Sequence, residues 1–539
     1  MKFSTLHKYF IVGIMGISAC TRLDDVSYNQ IIAGQFNPTT NDIAALVGAA
    51  YTNWRDVLQQ WNGLFRIQEV SADQLVIPSR PNGWVDGGIY RRIHEHKWTP
   101  DDDVTIQTWG RSFAGITNCN RIIYQIESGG IPITDAKEAT LAELKVLRAS
   151  YYYVLCDLYG NVPIITKFDL PEGQLPEQNT RKEVYEFIVK EITDNLPLLS
   201  EDNNQSTYGR FNKWAAHALL AKVYLNAEVY SGTAAWDKCI EQCDAVINSG
   251  AGFALEANQK DVFKTENETS KEIIFALPFD EKYVTAWNSF SIHMETLQPS
   301  SQATYNLQFT PWGGICAIPQ FIDTFDPDDS RLKNNWIQGQ QYSSSGVALK
   351  STLGAYAGKP LSFINELPGV DQSEEVHGFR LGKFEIADNS TVNLSNDWPL
   401  LRYADVLMMK AESLLRTGKA DEAAILVTQV RARNFTSNPA KATVTGADLM
   451  KGSRYDYGLR NHLTSTDEGG ADIQYGRFLD ELGWEFAQEG RRRQDLIRFG
   501  VFTTKSWLSH SPNGDYRTLL PIPRPEIAKN GNLSQNSGY

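Results

Sequence analysis

Residues 400–434, LLRYADVLMMKAESLLRTGKADEAAILVTQVRARN, constrain the fold more than any other stretch of this chain. Ala404, Leu407, Met408, Ala411, Leu414 and Leu415 recur at three- and four-residue spacing. On a helical period they fall on one face as an apolar stripe. Thr417-Gly418-Lys419 then interrupts the pattern and a second periodic run follows, so the stretch predicts two helices folded back on each other. The small alanines allow the helix axes to approach closely. Such a hairpin cannot bury its apolar face alone and needs a neighbour stacked against it.

Neighbours are available. NKWAAHALLAKVYLNAEVY (212–230), a Ser-Gly-Thr turn and AAWDKCIEQCDAVINSG (234–250) read as a second hairpin. EATLAELKVLRASYYYVLCDLYG (138–160) reads as one long helix stopped at Gly160, which tolerates a left-handed cap, with Pro163 unable to continue it. TNDIAALVGAAYTNWRDVLQQW (40–61), behind an Asn/Thr cap, and VTIQTWGRSFAGITNCNRIIYQI (104–126) add two more helices. A repeat of about 34 residues built from paired helices resembles the tetratricopeptide unit. The expected fold is therefore mostly α, a tetratricopeptide-like helical hairpin scaffold. Between 251 and 395 the periodicity fades into Gly, Ser, Asn and aromatic residues, with KEIIFALPF (271–279) as a short strand. A long irregular stretch in a compact protein is usually functional, so we read it as a loop-rich, ligand-binding lobe. The expected organisation is 1–19 signal peptide, 20–38 tether, 39–250 N-terminal helical part with a first binding loop, 251–395 loop-rich lobe, and 396–539 C-terminal hairpin and closing segment.

The first two boundaries come from IVGIMGISACTRLDD (11–25). Lys2, His7 and Lys8 precede an apolar run of about ten residues, the size of a signal-peptide core and too short to cross a bilayer. ISAC then sets small residues directly before Cys20, which resembles the bacterial lipobox. The expectation is cleavage at Cys20 and lipidation of its sulfur, each buried methylene adding about 0.8 kcal/mol of membrane affinity. Nowhere do 18 consecutive apolar residues follow. A net charge of −13 without a dense Lys/Arg stripe argues against a general nucleic-acid binder. Cys239 and Cys243, four apart in CIEQC, read as core thiols facing one side of a helix.

Four blocks, taken together and in this order, resemble the RagB/SusD family of nutrient-binding outer-membrane lipoproteins. They are LRASYYYVLCDLYGNVPII (147–165), YGRFNKWAAHALLAKVYLNA (208–227), DWPLLRYADVLMMKAESLLRTGKADEA (397–423) and WEFAQEGRRRQDLIRFGVF (484–502), closed by LLPIPRPEIAKNGNLSQNSGY (519–539). The resemblance implies a non-enzymatic receptor without cofactor, tied to the outer membrane and facing the cell exterior. It would capture an oligosaccharide and pass it to a TonB-dependent, SusC-like transporter. Read residue by residue, Arg148 turns to a carboxylate, and Glu489, Arg491, Arg492, Arg493, Asp495 and Arg498 make structural ion pairs, with a phosphate site as the alternative. The prolines of LLPIPRPEI suit an extended segment lying on the body.

Sugars present apolar C–H faces and rings of hydroxyls, so their sites combine aromatic platforms with planar polar groups. PSRPNGWVDGGIY (78–90) supplies Trp84 and Tyr90 with Arg80, Asn82 and Asp86 close by. YVTAWNSFSIHMETLQPSSQATYNLQFTPWGGI (283–315) supplies Tyr283, Trp287, Tyr305 and Trp312. In the starch-binding members of the family two such loops form an aromatic arc, which the resemblance maps on Trp312 and, more loosely, on Trp84 and Trp287. FDPDDSR (325–331) reads as a turn with Arg331 paired to an acidic neighbour, since its spacing is not that of a calcium loop. HEH (94–96) puts two histidines on one strand face without a third ligand, so no metal site is expected. Two other function classes remain open: a lipid-anchored glycoside hydrolase, which needs two carboxylates across one cleft, and a tetratricopeptide scaffold that binds only protein.

Overall fold

A computed structural model describes residues 39–59, 63–81, 83–133, 136–285, 289–461, 463–466 and 472–539. Cys20, the signal peptide and the tether lie outside these residues.

Eight helices carry the scaffold: α1 (Thr40–Leu58), α2 (Asp103–Glu127), α3 (Lys137–Leu158), α4 (Arg181–Asn195), α5 (Lys213–Leu225), α6 (Trp236–Ile247), α7 (Tyr403–Arg416) and α8 (Ala420–Ala432). They pack as consecutive pairs, α1 on α2, α3 on α4, α5 on α6 and α7 on α8, with α2 against α3, α4 against α5 and α6 against α7 joining the pairs into one stack. All six residues of the stripe at 404–415 are buried, as are Cys239 and Cys243 on the α6 face against α7. Thr39 caps α1 by accepting from the Asp42 N–H while the Asp42 carboxylate reaches back, and Gly160 adopts φ 70° just beyond α3.

The stretch from 251 to 395 contributes Phe263, Phe275, Phe290, Ile318 and Trp336 to the same hydrophobic core as α1 to α6. Its first strand, Ile273–Leu277, pairs antiparallel with Trp398–Arg402 through an irregular register. Buried charges join it to the C-terminal part as well. Arg402 meets Glu272 at 2.7 Å, Glu485 at 2.9 Å and Glu489 at 2.7 Å, with no exposure at Arg402 or Glu485. Arg331 pairs with Asp329 and with Glu485.

The EGRRRQDLIRFG segment is structural: Arg492 binds Asp73 at 2.7 Å, Arg498 binds Glu412 at 2.7 Å, and Arg491 binds Asp405. Arg148 likewise pairs with Glu191. Two local expectations are corrected. Residues 89–94 form a short helix rather than a strand, and His96 follows at φ 52°, so the buried His94 ends that helix and the buried His96 lies in the turn after it, neither on a strand face. The closing segment is extended only as far as Pro523. Arg524–Lys529 is helical, because Pro525 falls in a first turn where no intrahelical N–H is needed. Leu520 N–H donates to the Leu158 carbonyl at 2.6 Å and fixes that segment on α3.

A small sheet decides where the binding loops lie. Its strands run in the order 75–76, 316–317, 380–381, 336–337, with Val76 opposite Cys316 in antiparallel register. Chain leaving Val76 and chain arriving at Cys316 therefore occupy the same end of that pair. The loop with Trp84 and the loop with Trp312 are brought together by this pairing.

Candidate functional site

Trp84 and Trp312 line one cleft of about 260 Å³. Gln59, Thr285, Ser289, Ser291 and Asn393 give it hydroxyl and amide groups, and Val392 an apolar patch. At its base the Arg66 guanidinium meets the Glu295 carboxylate at 2.6 Å, with the two side chains 4% and 8% exposed. Burial raises the Glu295 carboxyl above its ordinary value, against the opposing pull of Arg66.

Trp84 is partly buried and firmly held. The Arg66 guanidinium lies over its ring at 5.1 Å, and the Tyr90 ring packs at 4.6 Å with a 60° tilt. Tyr90 itself is buried and donates its hydroxyl to Asp86 at 2.6 Å. Asp86 lies exposed on the turn before the short helix at 89–94.

Trp312 is 40% exposed and sits on a loop pressed against the helix Ile292–Thr296. Gly313 N–H donates to the Met294 carbonyl at 3.0 Å and Gly314 N–H to the Glu295 carbonyl at 2.7 Å. This contact explains the glycines after Trp312. A Cβ on Gly313 would lie 1.8 Å from the Glu295 carbonyl oxygen. One short helix thus pins the Trp312 loop through its backbone and anchors Arg66 through a side chain.

Two residues expected to face a ligand are turned inward. Arg80 is buried: its Nε donates to the Gly314 carbonyl at 3.2 Å, Nη2 to Cys316 Sγ at 3.0 Å, and Nη1 to the Glu374 carbonyl. It is a strut between the two loops, since a guanidinium whose donors are spent on protein acceptors has little left for a sugar. Tyr90 supports the underside of Trp84. Tyr283 is 87% exposed, two residues from the rim residue Thr285. Tyr305 packs on the small apolar cluster of Met294, Leu297 and Leu307. Asn82 and Trp287 lie outside the described residues.

Arg66, Glu295, Gln59, Ser289, Ser291 and Asn393 were not picked out by sequence. The one local signal was a cation in LFRIQEV, a seven-residue helix buried throughout.

A second cleft, about 290 Å³, lies against α8 and Trp484, but its cations are largely consumed. Arg431 pairs with Glu481, Lys441 with Asp326 and Asp328, and Lys451 with Asp448. Among the described residues no group of three or more His, Cys, Asp or Glu side chains is arranged to hold a metal ion, and no helix is long and apolar enough to cross a membrane.

A model of the SusD family matches residues 271–539, and a second, described as starch-binding and associating with the outer membrane, matches residues 33–225. The starch-binding protein SusD of Bacteroides thetaiotaomicron is 25% identical over 496 residues, spanning 85% of this chain and 82% of that one. Among solved structures, a laminarin-binding SusD-like protein superposes with a TM-score of 0.70 at 20% identity, covering 93% of this chain and 100% of that one. Surface glycan-binding protein A from Bacteroides thetaiotaomicron, in complex with laminarihexaose, gives 0.69 at 19% identity with the same coverage. These two likenesses establish a shared helical fold.

Proposed function

The chain belongs to the SusD family, and on that premise we propose that it binds an oligosaccharide in the cleft between Trp84 and Trp312 and delivers it to a TonB-dependent, SusC-like outer-membrane transporter. The observation that carries this reading is the cleft: two indole rings, one of them 40% exposed, rimmed by hydroxyl and amide side chains. Indole faces suit the C–H faces of a pyranose ring, and the rim supplies donors and acceptors for its hydroxyls. Relatives whose names record starch and laminarin ligands support the same class of ligand. The family matched over residues 33–225 is one of starch-binding proteins that associate with the outer membrane. Lipidation of Cys20 and an outward orientation are the finer part of the proposal and rest on the ISAC motif.

Binding without turnover is favoured by the carboxylates. Among the described residues lining the cleft, Glu295 is the acidic one, and it is committed to Arg66. Glycoside hydrolysis by the usual route needs a second carboxylate across the gap.

Isothermal titration with size-matched maltose-, laminaribiose-, xylose- and mannose-based hexamers tests the reading, with Trp312→Ala as control. Saturable binding of at least one glycan, weakened about tenfold or more in the variant, is expected. Absence of binding to every glycan, or full affinity in the variant, would remove the site.

A further inference from the structure

The cleft holds a cation, yet that cation is not available. The Arg66 guanidinium is enclosed by the Glu295 carboxylate at 2.6 Å on one side and the Trp84 ring at 5.1 Å on another. Among the described lining residues Arg66 and Glu295 are the charged ones, and the rest carry hydroxyl, amide or apolar groups.

An anionic sugar entering such a site would give up hydration without gaining a free counter-charge. It would approach Glu295 as closely as Arg66, so the pair offers it a dipole and no net attraction. A neutral sugar has no such penalty. Its hydroxyls meet Ser289, Ser291, Asn393 and Gln59, and its ring faces meet indole.

Building on the glycan reading above, we infer that this cleft selects neutral oligosaccharides against uronic, sulfated or sialylated ones, and that Glu295 determines this specificity by neutralising Arg66, the cation that would otherwise recruit an anion. The pair keeps the base of the cleft polar and rigid while cancelling the charge that would recruit an anion.

The test is a comparison of neutral hexamers with size-matched acidic ones, oligogalacturonate and oligomannuronate, on the full chain. In the wild type, neutral binding is expected to exceed acidic binding by at least about tenfold and to vary little between about 0.05 and 0.5 M salt. Glu295→Gln uncouples the cation: acidic affinity should rise at least about tenfold, with a salt dependence that the wild type lacks. The double variant Arg66→Gln/Glu295→Gln carries neither charge and should keep the neutral preference, which also serves should Glu295→Gln fold poorly. Equal or tighter wild-type binding of the acidic hexamers overturns the inference and leaves glycan capture standing. A well-folded Glu295→Gln that gains no acidic affinity overturns the role of the pair. Loss of neutral preference in the double variant does the same. Binding of neither class sinks the glycan reading, and this inference with it.

Discussion

A side chain on Gly313 would place its Cβ 1.8 Å from the Glu295 carbonyl oxygen, so the loop carrying Trp312 can touch the helix beneath it only as glycine. Gly313→Ala forces that backbone apart. Displacing a well-packed loop costs about 1–3 kcal/mol of stability, read as a lower urea midpoint. Trp312 shifts with its loop, so affinity for the best neutral hexamer should fall about tenfold or more. Wild-type affinity in the variant would show that the platform does not depend on this contact.

Glu485 is the centre of the buried charge cluster, meeting Arg402 at 2.9 Å, Arg433 at 2.7 Å and Arg331 at 3.1 Å. Burial alone would raise its carboxyl, but Arg433, Arg402 and Arg331 outweigh that and hold it well below the carboxylate range. Glu485→Gln leaves these cations short of a counter-charge in the interior. The expected loss is about 3–5 kcal/mol, measured by chemical denaturation. A loss under about 1 kcal/mol, the worth of an exposed pair, would mean that solvent reaches the cluster.

Buried histidines should each withdraw stability on the acid side. Burial keeps His94 and His96 neutral, with values lowered from 6.5 to about 4 and about 3, and holds His510 well below its ordinary value too. The unfolded chain takes up these protons below pH 6.5 and the folded chain does not, so each histidine withdraws stability as pH drops from 6.5 towards its folded value. Burial raises Glu69 and Asp480 to about 7 and Asp397 to about 6, and these withdraw stability in the opposite direction, as pH rises from about 4. His96 Nε2 lies 2.7 Å from the Ser71 carbonyl, a contact a glutamine amide can keep. His96→Gln should therefore raise stability at pH 5 relative to pH 6.5 by up to about 1.4 kcal/mol per pH unit, seen as a shift in the difference between the two urea midpoints. An unchanged slope would show that His96 does not remain neutral in the fold.

The helices were legible because each records its burial locally. The 404–415 stripe, the Cys239/Cys243 spacing and the mixed charges of EGRRRQDLIRFG can all be read from neighbours in sequence. The cleft was legible only as two tryptophans in glycine-rich loops. What unites them is a register between two-residue strands, Val76 opposite Cys316, too short to leave a periodic pattern. Arg66 and Glu295 meet across the chain, and nothing near either one announces the other. The histidines of HEH misled for a similar reason, because the positive φ of His96 is imposed by packing rather than by its neighbours.

Arg80 gives the sharpest contrast between a residue that touches a ligand and one that positions the residue that does. Its guanidinium joins the Trp84 loop to the Gly314 carbonyl at 3.2 Å and to Cys316 Sγ at 3.0 Å, all in the interior. Burial lowers its pKa, with Cys316, Glu375 and Glu374 opposing that effect. Arg80→Met keeps much of the side-chain bulk and removes the links, orphaning carbonyls at a cost of about 1–3 kcal/mol. If Arg80 acts only through Trp312, the variant should lose affinity for long and short neutral glycans by the same factor. Adding Trp312→Ala should then reduce binding little further, because the two changes remove one interaction. Additive losses in that double-mutant cycle would instead show that Arg80 acts independently of Trp312.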